Sequence, residues 1–333
     1  MAIGRRAIFI LWVAGIGVLV GLTVWSGASL VGEALLSVGW GAVLVVIVRV
    51  IVVSGAGVAW WLLFPPAMRP TIWSCVLTRF IREAANAILP LTQVGGDIIG
   101  ARCLILYGVK GSVSAASVIV DVLVQASTQF VFALVGLIML IAIGGRGIVV
   151  RTAAIGAAIA IPALVAFFFA QRQGGQRILK GLLALVGGGP EWRAFSAIDD
   201  LYAQLNTFYA RREGLLLASL LDLASWFVGA IEVWIVLSFM GYAVTYGEAV
   251  IIESLMHAAR GAAFAVPSAL GVQEGGLIVL CAIFAVPPEA ALALSLVKRI
   301  PDLVIGVSGV TAWQALEGRH YFGARRRTGG NAS

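Results

Sequence analysis

Acidic and amide side chains stand inside two apolar regions of the chain, beside prolines and glycines. The first stretch, PLTQVGGD, runs from Pro90 to Asp97, and the second, PSALGVQE, runs from Pro267 to Glu274, 177 residues later. Each places six residues between its proline and its acid. A broken backbone survives in lipid only when it is buried in protein or faces a water-filled cavity. Two such stretches in corresponding positions predict a polar site at membrane depth, as in transporters.

The two acids, Asp97 and Glu274, have two interpretations. Ionised groups at membrane depth are costly unless they are paired or wetted, so these acids could line a cavity and bind a cation or relay a proton. An acid before an apolar helical run also stabilises the first turn of that helix. The glycines either permit tight turns or only let helices pack closely. The expected hairpin breaks are Pro90, Gly95, Gly96, Pro267, Gly271 and Gly275.

Charged residues also recur at helical spacing beside the two stretches. Arg79, Arg82 and Glu83 lie on successive turns of one predicted helix, and Arg260 follows Glu253 and His257 in the same way. Arginines so placed either bind an anionic head group through bidentate bonds or form internal ion pairs that make the hairpin insertable. A shift of 177 residues puts Arg260 on Glu83, so the two could face each other.

A polar stripe marks one face of a later apolar run. Asp121, Gln125 and Gln129 are spaced by four residues, and Lys298 falls on Asp121 after the 177-residue shift. The stripe either faces a cavity or, for Lys298 and Asp302, forms a simple i, i+4 salt bridge. The candidate pathway residues are Asp97, Glu274, Arg260, Asp121, Lys298, Asp302, Gln273, Gln93 and Arg102.

The composition indicates an all-α polytopic membrane protein with one membrane domain. The chain has 333 residues, of which 61% are hydrophobic and 12% charged, whereas roughly 25% charged residues is usual in soluble proteins. The net charge of +7 does not indicate nucleic-acid binding, because the basic residues flank apolar segments. The three cysteines lack paired spacing, and no hydrolase, Walker, zinc or Rossmann motif is present. We therefore expect no enzyme, no cofactor and no metal.

Segment lengths predict about six transmembrane helices and two re-entrant helical hairpins, since a span needs about 20 apolar residues. The first run is interpreted as an uncleaved helix rather than a signal peptide. An amphipathic interfacial helix is predicted near residues 198–208. The predicted spans are 7–25, 36–64, 113–143, 149–169, 215–240 and 290–315, and the hairpins pair 75–89 with 98–107 and 248–266 with 275–286.

The 177-residue offset predicts an inverted-topology repeat within the single domain 1–333. The expected parts are a first repeat (37–143), a connecting span and cytoplasmic linker (144–213), a second repeat (214–316) and a polar tail (317–333). The positive-inside rule places both termini in the cytoplasm.

Three segments carry a resemblance to a known family: Asn86 to Arg102, Ala263 to Gly276, and Lys298 to Asp302. They resemble the flippase-like transmembrane domain of lysylphosphatidylglycerol synthases, in the branch associated with hopanoid biosynthesis. The resemblance implies translocation of a lipid, a hopanoid or a glycerophospholipid, between leaflets of the bacterial inner membrane. It also implies hopanoid-biosynthesis enzymes as partners.

Two departures from the family pattern narrow this expectation. The aminoacyl-transferase domain of the synthases is missing, so lipid aminoacylation is not expected. Many relatives carry an arginine where this chain has Gln273, and the change suits a less charged lipid such as a hopanoid. The alternatives are a non-transporting accessory of lipid-modifying enzymes and a polyprenyl-phosphate or ion-coupled carrier. Asp97→Asn and Glu274→Gln are expected to abolish transport and leave membrane insertion intact.

Overall fold

The computed structural model of the protein is helical throughout the part that it describes, which comprises residues 33, 35–88, 94–144, 147–170, 192–262 and 271–329. Ten α-helices and a short 3-10 turn follow one another there, and those ranges contain no strand. The all-α prediction is confirmed.

Each half contains four helices, and two connecting helices join the two halves. The first half contains α1 (Gly41–Leu63), the 3-10 turn (Pro66–Met68), α2 (Ile72–Ile88), α3 (Val94–Leu106) and α4 (Gly111–Ala142). The connecting helices are α5 (Ile148–Ala170) and α6 (Trp192–Ala210). The second half contains α7 (Arg212–Phe239), α8 (Tyr246–Ala262), α9 (Val272–Ala282) and α10 (Pro288–Gly329).

Three of the described helices, α1, α4 and α7, are long and apolar enough to cross a bilayer, with 23, 32 and 28 residues. Large apolar side chains on them, such as Ile51, Ile138 and Leu216, are exposed. Apolar surface of this kind on long helices is typical of membrane spans. The protein is therefore a multi-pass membrane protein. The total of six spans stays a prediction, since the first run, 7–25, lies outside the described residues.

The helices at the two polar stretches are short. α2 and α3 have 17 and 13 residues, and α8 and α9 have 17 and 11, whereas a span needs about 20. The two helices of each pair pack against each other. The connections at 89–93 and 263–270, with Pro90, Gln93 and Pro267, lie outside the described residues. The re-entrant path of each hairpin therefore stays a prediction.

The helices of the two halves follow the 177-residue offset closely. α4 begins at Gly111 and α10 at Pro288, one offset apart. α2 packs against α10, α8 packs correspondingly against α4, and α1 packs against α7. α10 differs in length, because its 42 residues run through Pro301 into the predicted polar tail. The direction of insertion of each half, and with it the cytoplasmic placement of the termini, stays a prediction.

Three glycines predicted as hairpin breaks are instead helical. Gly95 and Gly96 lie in the first turn of α3, and Gly275 lies in α9. A Cβ at Gly96 would collide with the Asn86 side chain and the Arg82 carbonyl of α2, so this glycine serves close helix packing rather than a turn. Of the predicted breaks, Gly271 has the expected backbone, with φ of 80° just before α9.

The sequence reasoning missed Gly100, which follows Gly96 by four residues. A Cβ at Gly100 would meet the aliphatic part of the Arg82 side chain. The two glycines form one flat stripe on α3, against which α2 lies. Two small residues four positions apart in the sequence are the pattern that indicates such a helix contact.

The predicted amphipathic helix is present as α6. Ile198, Leu205 and Phe208 are buried and belong to one apolar core with residues of α1, α2 and α4. This spacing places them on one face of the helix, as the sequence pattern predicts. Whether α6 lies at the membrane interface stays a prediction.

Candidate functional site

Two arginines of α2 converge on Asp121 in the middle of α4. Arg82 Nη1 donates to Asp121 Oδ2 at 2.6 Å, and Arg79 Nη1 donates to the same oxygen at 3.3 Å. All three side chains are buried. We name the Asp121 cluster by its members, which are Arg79, Arg82, Glu83, Asp97, Asp121 and Gln125.

The outer members of the cluster occupy the remaining donors of the two arginines. Arg82 holds Asp97 of α3 through Nε at 3.1 Å and Nη2 at 2.5 Å. Arg79 Nη2 donates to Glu83 Oε1 and to Gln125 Oε1, both at 2.7 Å. Bidentate and charge-assisted bonds of this kind fix side-chain direction. They join α2, α3 and α4 around one polar centre.

A cavity of about 190 Å³ opens beside this cluster. It borders Asn86, whose Oδ1 accepts the Gly96 N–H at 3.1 Å, and Gln129, whose amide donates to the carbonyl of His257 at 3.0 Å. Its walls therefore present both donors and acceptors. The lining residues are Arg79, Arg82, Glu83, Asn86, Asp97, Val122, Gln125, Ala126 and Gln129.

The predicted polar stripe of α4 thus reaches this cavity. Gln125 and Gln129 line its wall, and Gln125 donates to Asp121 Oδ2 at 2.5 Å. Within the described residues, Arg79 Nε is buried and has no hydrogen-bond partner. Such a donor is expensive to leave unsatisfied. The polar ligand that the cavity can accept therefore meets the partly exposed carboxylates of Glu83 and Asp97 rather than this buried donor.

The second half contains a different ionic group, centred on Lys298 of α10. Lys298 Nζ donates to Glu253 Oε1 at 2.7 Å and to Glu232 Oε2 at 3.2 Å. Arg49 of α1 donates to both oxygens of Glu232, each at 2.7 Å. We name the Lys298 cluster by its members, which are Arg49, Glu232, Glu253, His257, Lys298 and Asp302.

The simple i, i+4 bridge considered for Lys298 and Asp302 is not what the structure shows. Asp302 pairs instead with Arg49, at 3.4 Å. Lys298 turns inward because two buried carboxylates compete for its ammonium group, and buried charge is far more costly to leave unpaired than exposed charge.

Glu274 caps the first turn of α9. Its Oε2 accepts the Gly271 N–H at 2.7 Å, and its Oε1 accepts from Arg299 at 2.6 Å and from Ser295 Oγ at 3.1 Å. The residue is fully buried. The hypothesis that Asp97 and Glu274 line one cavity is therefore corrected, since the Asp121 cavity borders Asp97 and not Glu274.

Three other predicted pathway residues lie away from the cavity wall. Gln273 is buried and donates to Ser295 Oγ at 3.0 Å. Arg102 forms an exposed ion pair with Glu317. Arg260 makes no ion pair with a described carboxylate, and it does not face Glu83, which pairs with Arg79. Their positions on the far side of α3 or within the second half explain why they do not join the Asp121 cluster.

The sequence reasoning also missed Arg49. It lies in the middle of α1, the most apolar of the candidate spans, where a single arginine is costly without a partner. That isolated charge in an apolar run indicates a buried ion pair. Its partner, Glu232, lies 183 residues away, which no local pattern could reveal.

The profile of the lysylphosphatidylglycerol synthase transmembrane region matches residues 12–309 of the chain. The chain belongs to this family. The match covers every member of the Asp121 and Lys298 clusters, and it places the protein among membrane proteins related to lipid handling. Searches of curated proteins and of solved structures gave no match. Within the lysylphosphatidylglycerol synthase family, assignment to the hopanoid-associated branch stays a prediction.

Proposed function

We propose that the protein moves an amphiphilic lipid between the leaflets of the bacterial inner membrane and that the Asp121 cluster binds the lipid's head group. The observation that carries this proposal is the polar cavity of about 190 Å³ between α2, α3 and α4. The family supports it, because the matched region is a transmembrane region of lipid-handling proteins. No catalytic step is part of the proposal.

The barrier to lipid translocation is the transfer of a polar head group through hydrocarbon. A hydroxyl or amide group without a hydrogen-bond partner costs roughly 4–8 kcal/mol in such a medium. The Asp121 cavity lowers this barrier by supplying acceptors on Glu83 and Asp97, whose side chains are partly exposed. Its volume suits a head group and not a whole lipid, so the apolar body stays among the exposed apolar side chains outside.

The charge of the Asp121 cluster determines which kind of head group it can bind. Its two arginines already face three carboxylates, on Glu83, Asp97 and Asp121. A phosphate would therefore add negative charge to a group that carries no excess of cations. A neutral head group with hydroxyls can donate to these carboxylates without adding charge. This favours a hopanoid over an anionic glycerophospholipid as the transported lipid.

The test is leaflet exchange of labelled lipid in proteoliposomes, with wild type beside Asp97→Asn. Asp97→Asn keeps the shape of the side chain and removes the charge that pairs with Arg82. Charge-assisted bonds are worth about 1.5–3 kcal/mol, so we expect exchange to fall by roughly tenfold or more. The matched control is Asp200→Asn, which breaks an exposed pair with Lys110 and should leave exchange unchanged.

Two outcomes would contradict the proposal. Wild-type exchange that persists unchanged in Asp97→Asn would remove the Asp121 cavity from the lipid pathway. No wild-type exchange of either a hopanoid or a glycerophospholipid, in correctly folded protein, would exclude translocation of these lipids. The alternative function, a membrane accessory of lipid-modifying enzymes, would then be preferred. Copurification with those enzymes would test it.

A further inference from the structure

We propose that a cavity at the joint between α1 and α2 binds an anionic phospholipid, whose phosphate accepts hydrogen bonds from Arg69 and whose acyl chain lies along Trp73 and Leu77. This joint cavity shares no lining residue with the Asp121 cavity. The site is therefore a second lipid site, and it does not depend on the proposed function.

The joint cavity has a volume of about 560 Å³ and lies at the start of α2. Arg69 is the one charged residue among its described lining residues, and Trp73, Leu77 and Tyr107 in its walls are exposed. Arg69 follows Leu63, the last residue of the candidate span α1, by six positions. The end of a span lies at the depth of the lipid head groups, where tryptophan and tyrosine are enriched. The cavity thus offers one cation among apolar and aromatic walls where phospholipids present their phosphates.

Two arginines converge on the last carbonyls of α1. Arg69 donates to the Phe64 carbonyl through Nε at 3.2 Å and Nη2 at 3.1 Å. Arg211 Nη1 donates to the Leu62 carbonyl at 2.8 Å and also to that of Phe64. These carbonyls need side-chain donors, because Pro65 has no N–H to offer. Arg211 alone reaches both of them, so capping of α1 does not require Arg69.

The two guanidinium charges are only partly neutralised at this joint. The hydrogen bonds of Arg69 and Arg211 go to backbone carbonyls, and neither side chain pairs with a described carboxylate. A helix C-terminus carries roughly half a negative charge, which leaves more than one positive charge in excess. Partial burial and the charge of Arg211 lower the pKa of Arg69, the direction expected of a cation with no anion beside it. A bound anion would supply the missing negative charge.

Two donors are left for that anion. Arg69 Nη1 makes no hydrogen bond with a described residue. The hydroxyls of Thr71 and Ser74 lie 2.6 Å apart, and Thr71 Oγ1 also accepts the Ser74 N–H. Since Ser74 is buried and Thr71 is exposed, the hydroxyl proton without an acceptor among the described residues is that of Thr71. A guanidinium and a hydroxyl are typical donors to a phosphate.

The wall beyond Arg69 suits an acyl chain. Trp73 and Leu77 are four residues apart on α2 and therefore lie on one face of the helix. The guanidinium carbon of Arg69 lies 4.3 Å from the centroid of the Trp61 ring, and the Trp61 indole donates to the Pro70 carbonyl at 2.9 Å. The stacked ring holds the guanidinium in place. A phosphate at Arg69 thus has an apolar face beside it for the attached chain.

The corresponding joint in the second half has a different charge. Residues 241–248 contain no lysine or arginine, and the 177-residue shift puts Tyr246 on Arg69 and Glu248 on Thr71. α7 ends without an arginine cap, since Gly241 adopts a left-handed conformation with φ of 85°. Uncompensated positive charge therefore belongs to the first joint alone, as a ligand site would require and as helix ends in general do not.

The test measures quenching of tryptophan emission by phospholipids with brominated acyl chains, in the full chain in mixed micelles of a neutral detergent. Bromine quenches an indole on contact, so Trp73 reports on a chain in the joint cavity. At the same low mole fraction, brominated phosphatidylglycerol should quench more than brominated phosphatidylcholine, whose own choline cation offsets its phosphate. Arg69→Gln should weaken binding of phosphatidylglycerol by about tenfold or more, because charge-assisted bonds are lost. Trp73→Phe should remove most of the extra quenching.

The matched control is Arg212→Gln. Arg212 is an exposed neighbour of Arg211 and does not line the joint cavity, so this variant removes the same charge from the same end of the molecule. It should keep the preference for phosphatidylglycerol. A competition in the wild type does not depend on the folding of any variant. Phosphatidylglycerol without bromine should restore the emission, whereas phosphatidylcholine should not.

Three results would overturn the site as proposed. Equal quenching of folded wild type by the two brominated lipids would show that the cavity does not select an anion. A preference that persists unchanged in Arg69→Gln or in Trp73→Phe would place the lipid elsewhere. Displacement by sodium phosphate, but not by sodium chloride of the same ionic strength, would identify a soluble phosphate as the ligand in place of a lipid. We expect the two salts to act alike.

Discussion

Asp121 and Lys298 occupy corresponding positions in α4 and α10 and carry opposite charges. Asp121 accepts from two arginines of α2, whereas Lys298 donates to glutamates of α7 and α8. Each residue is the centre of one cluster and is almost completely buried. The two halves of the molecule thus use the same position for the same purpose, to draw neighbouring helices to one polar point, with the signs exchanged.

The two clusters differ in their access to the outside. In the Asp121 cluster, the side chains of Glu83 and Asp97 are 37% and 25% exposed and border the cavity. In the Lys298 cluster, Asp302 at the edge is 35% exposed, whereas Glu232 and Glu253, which hold Lys298, are 1% and 3% exposed. Partly exposed acids beside a cavity can exchange their partners for a ligand, whereas buried ion pairs hold helices together. Under the proposed function, the first cluster recognises the head group, and the second fixes the helices.

The largest effect is expected when the central residue of each cluster, Asp121 or Lys298, is replaced. Asp121→Asn leaves two buried arginines without their shared carboxylate, and Lys298→Met leaves Glu253 without its ammonium. Breaking a buried ion pair on one side costs about 3–5 kcal/mol, and we expect a loss of this size in the free energy of unfolding for both variants. The measurement is reversible denaturation in mixed micelles.

Asp302→Asn is the control for the centre variants, because Asp302 is partly exposed and makes one longer pair with Arg49. It should cost about 0–1 kcal/mol. A nearly neutral Lys298→Met would break the comparison, because the second cluster would then not hold its helices together.

A smaller effect should come from the close contact between α2 and α3 at Gly96. Gly96→Ala places a methyl group against Asn86 and the carbonyl of Arg82, and overpacking of this kind costs about 1–3 kcal/mol. Gly275→Ala in α9 meets open space, so its unfolding free energy should stay the same or rise by up to ~1 kcal/mol through helix propensity. Denaturation of both variants under one condition measures the difference. Equal costs would show that the close approach of α3 to α2 is not specific to the first half.

The smallest effect is expected at the periphery. Arg102→Gln breaks an exposed pair with Glu317 and should change the unfolding free energy by about 0–1 kcal/mol. Lipid exchange should match that of wild type, since Arg102 does not border the cavity. The exchange assay checks this directly. A strong loss of exchange would place the lipid pathway along the outer face of α3 and so remove the distinction between an open cluster and its surroundings.

Much of the helix pattern could be predicted from the chain. The apolar run 113–143 became α4 (Gly111–Ala142), because a long apolar segment in lipid satisfies its backbone only as a helix. The spacing of Asp121, Gln125 and Gln129 placed them on one face, and all three meet at the cavity or its cluster. The hydrophobic period and the length of a segment are local properties of the sequence, so they can be read without knowledge of the fold.

The ion pairs could not be predicted in the same way. Asp97 and Glu274 occupy equivalent places after equivalent prolines, yet one borders a cavity and the other is a buried cap. The difference arises because Arg299 and Ser295 of α10 reach Glu274, whereas Asp97 meets Arg82 beside open space. Neither neighbour is adjacent in sequence to the acid that it contacts.

The sequence by itself determined that this protein is a helical membrane protein with polar groups concentrated at two broken stretches, since hydrophobicity and period act residue by residue. The tertiary structure alone decided which of those groups face a cavity and which face each other. Arg49 illustrates the reason, because its charge is acceptable in α1 only through Glu232, 183 residues away. Burial makes each charge depend on its partner, and partners are chosen by packing.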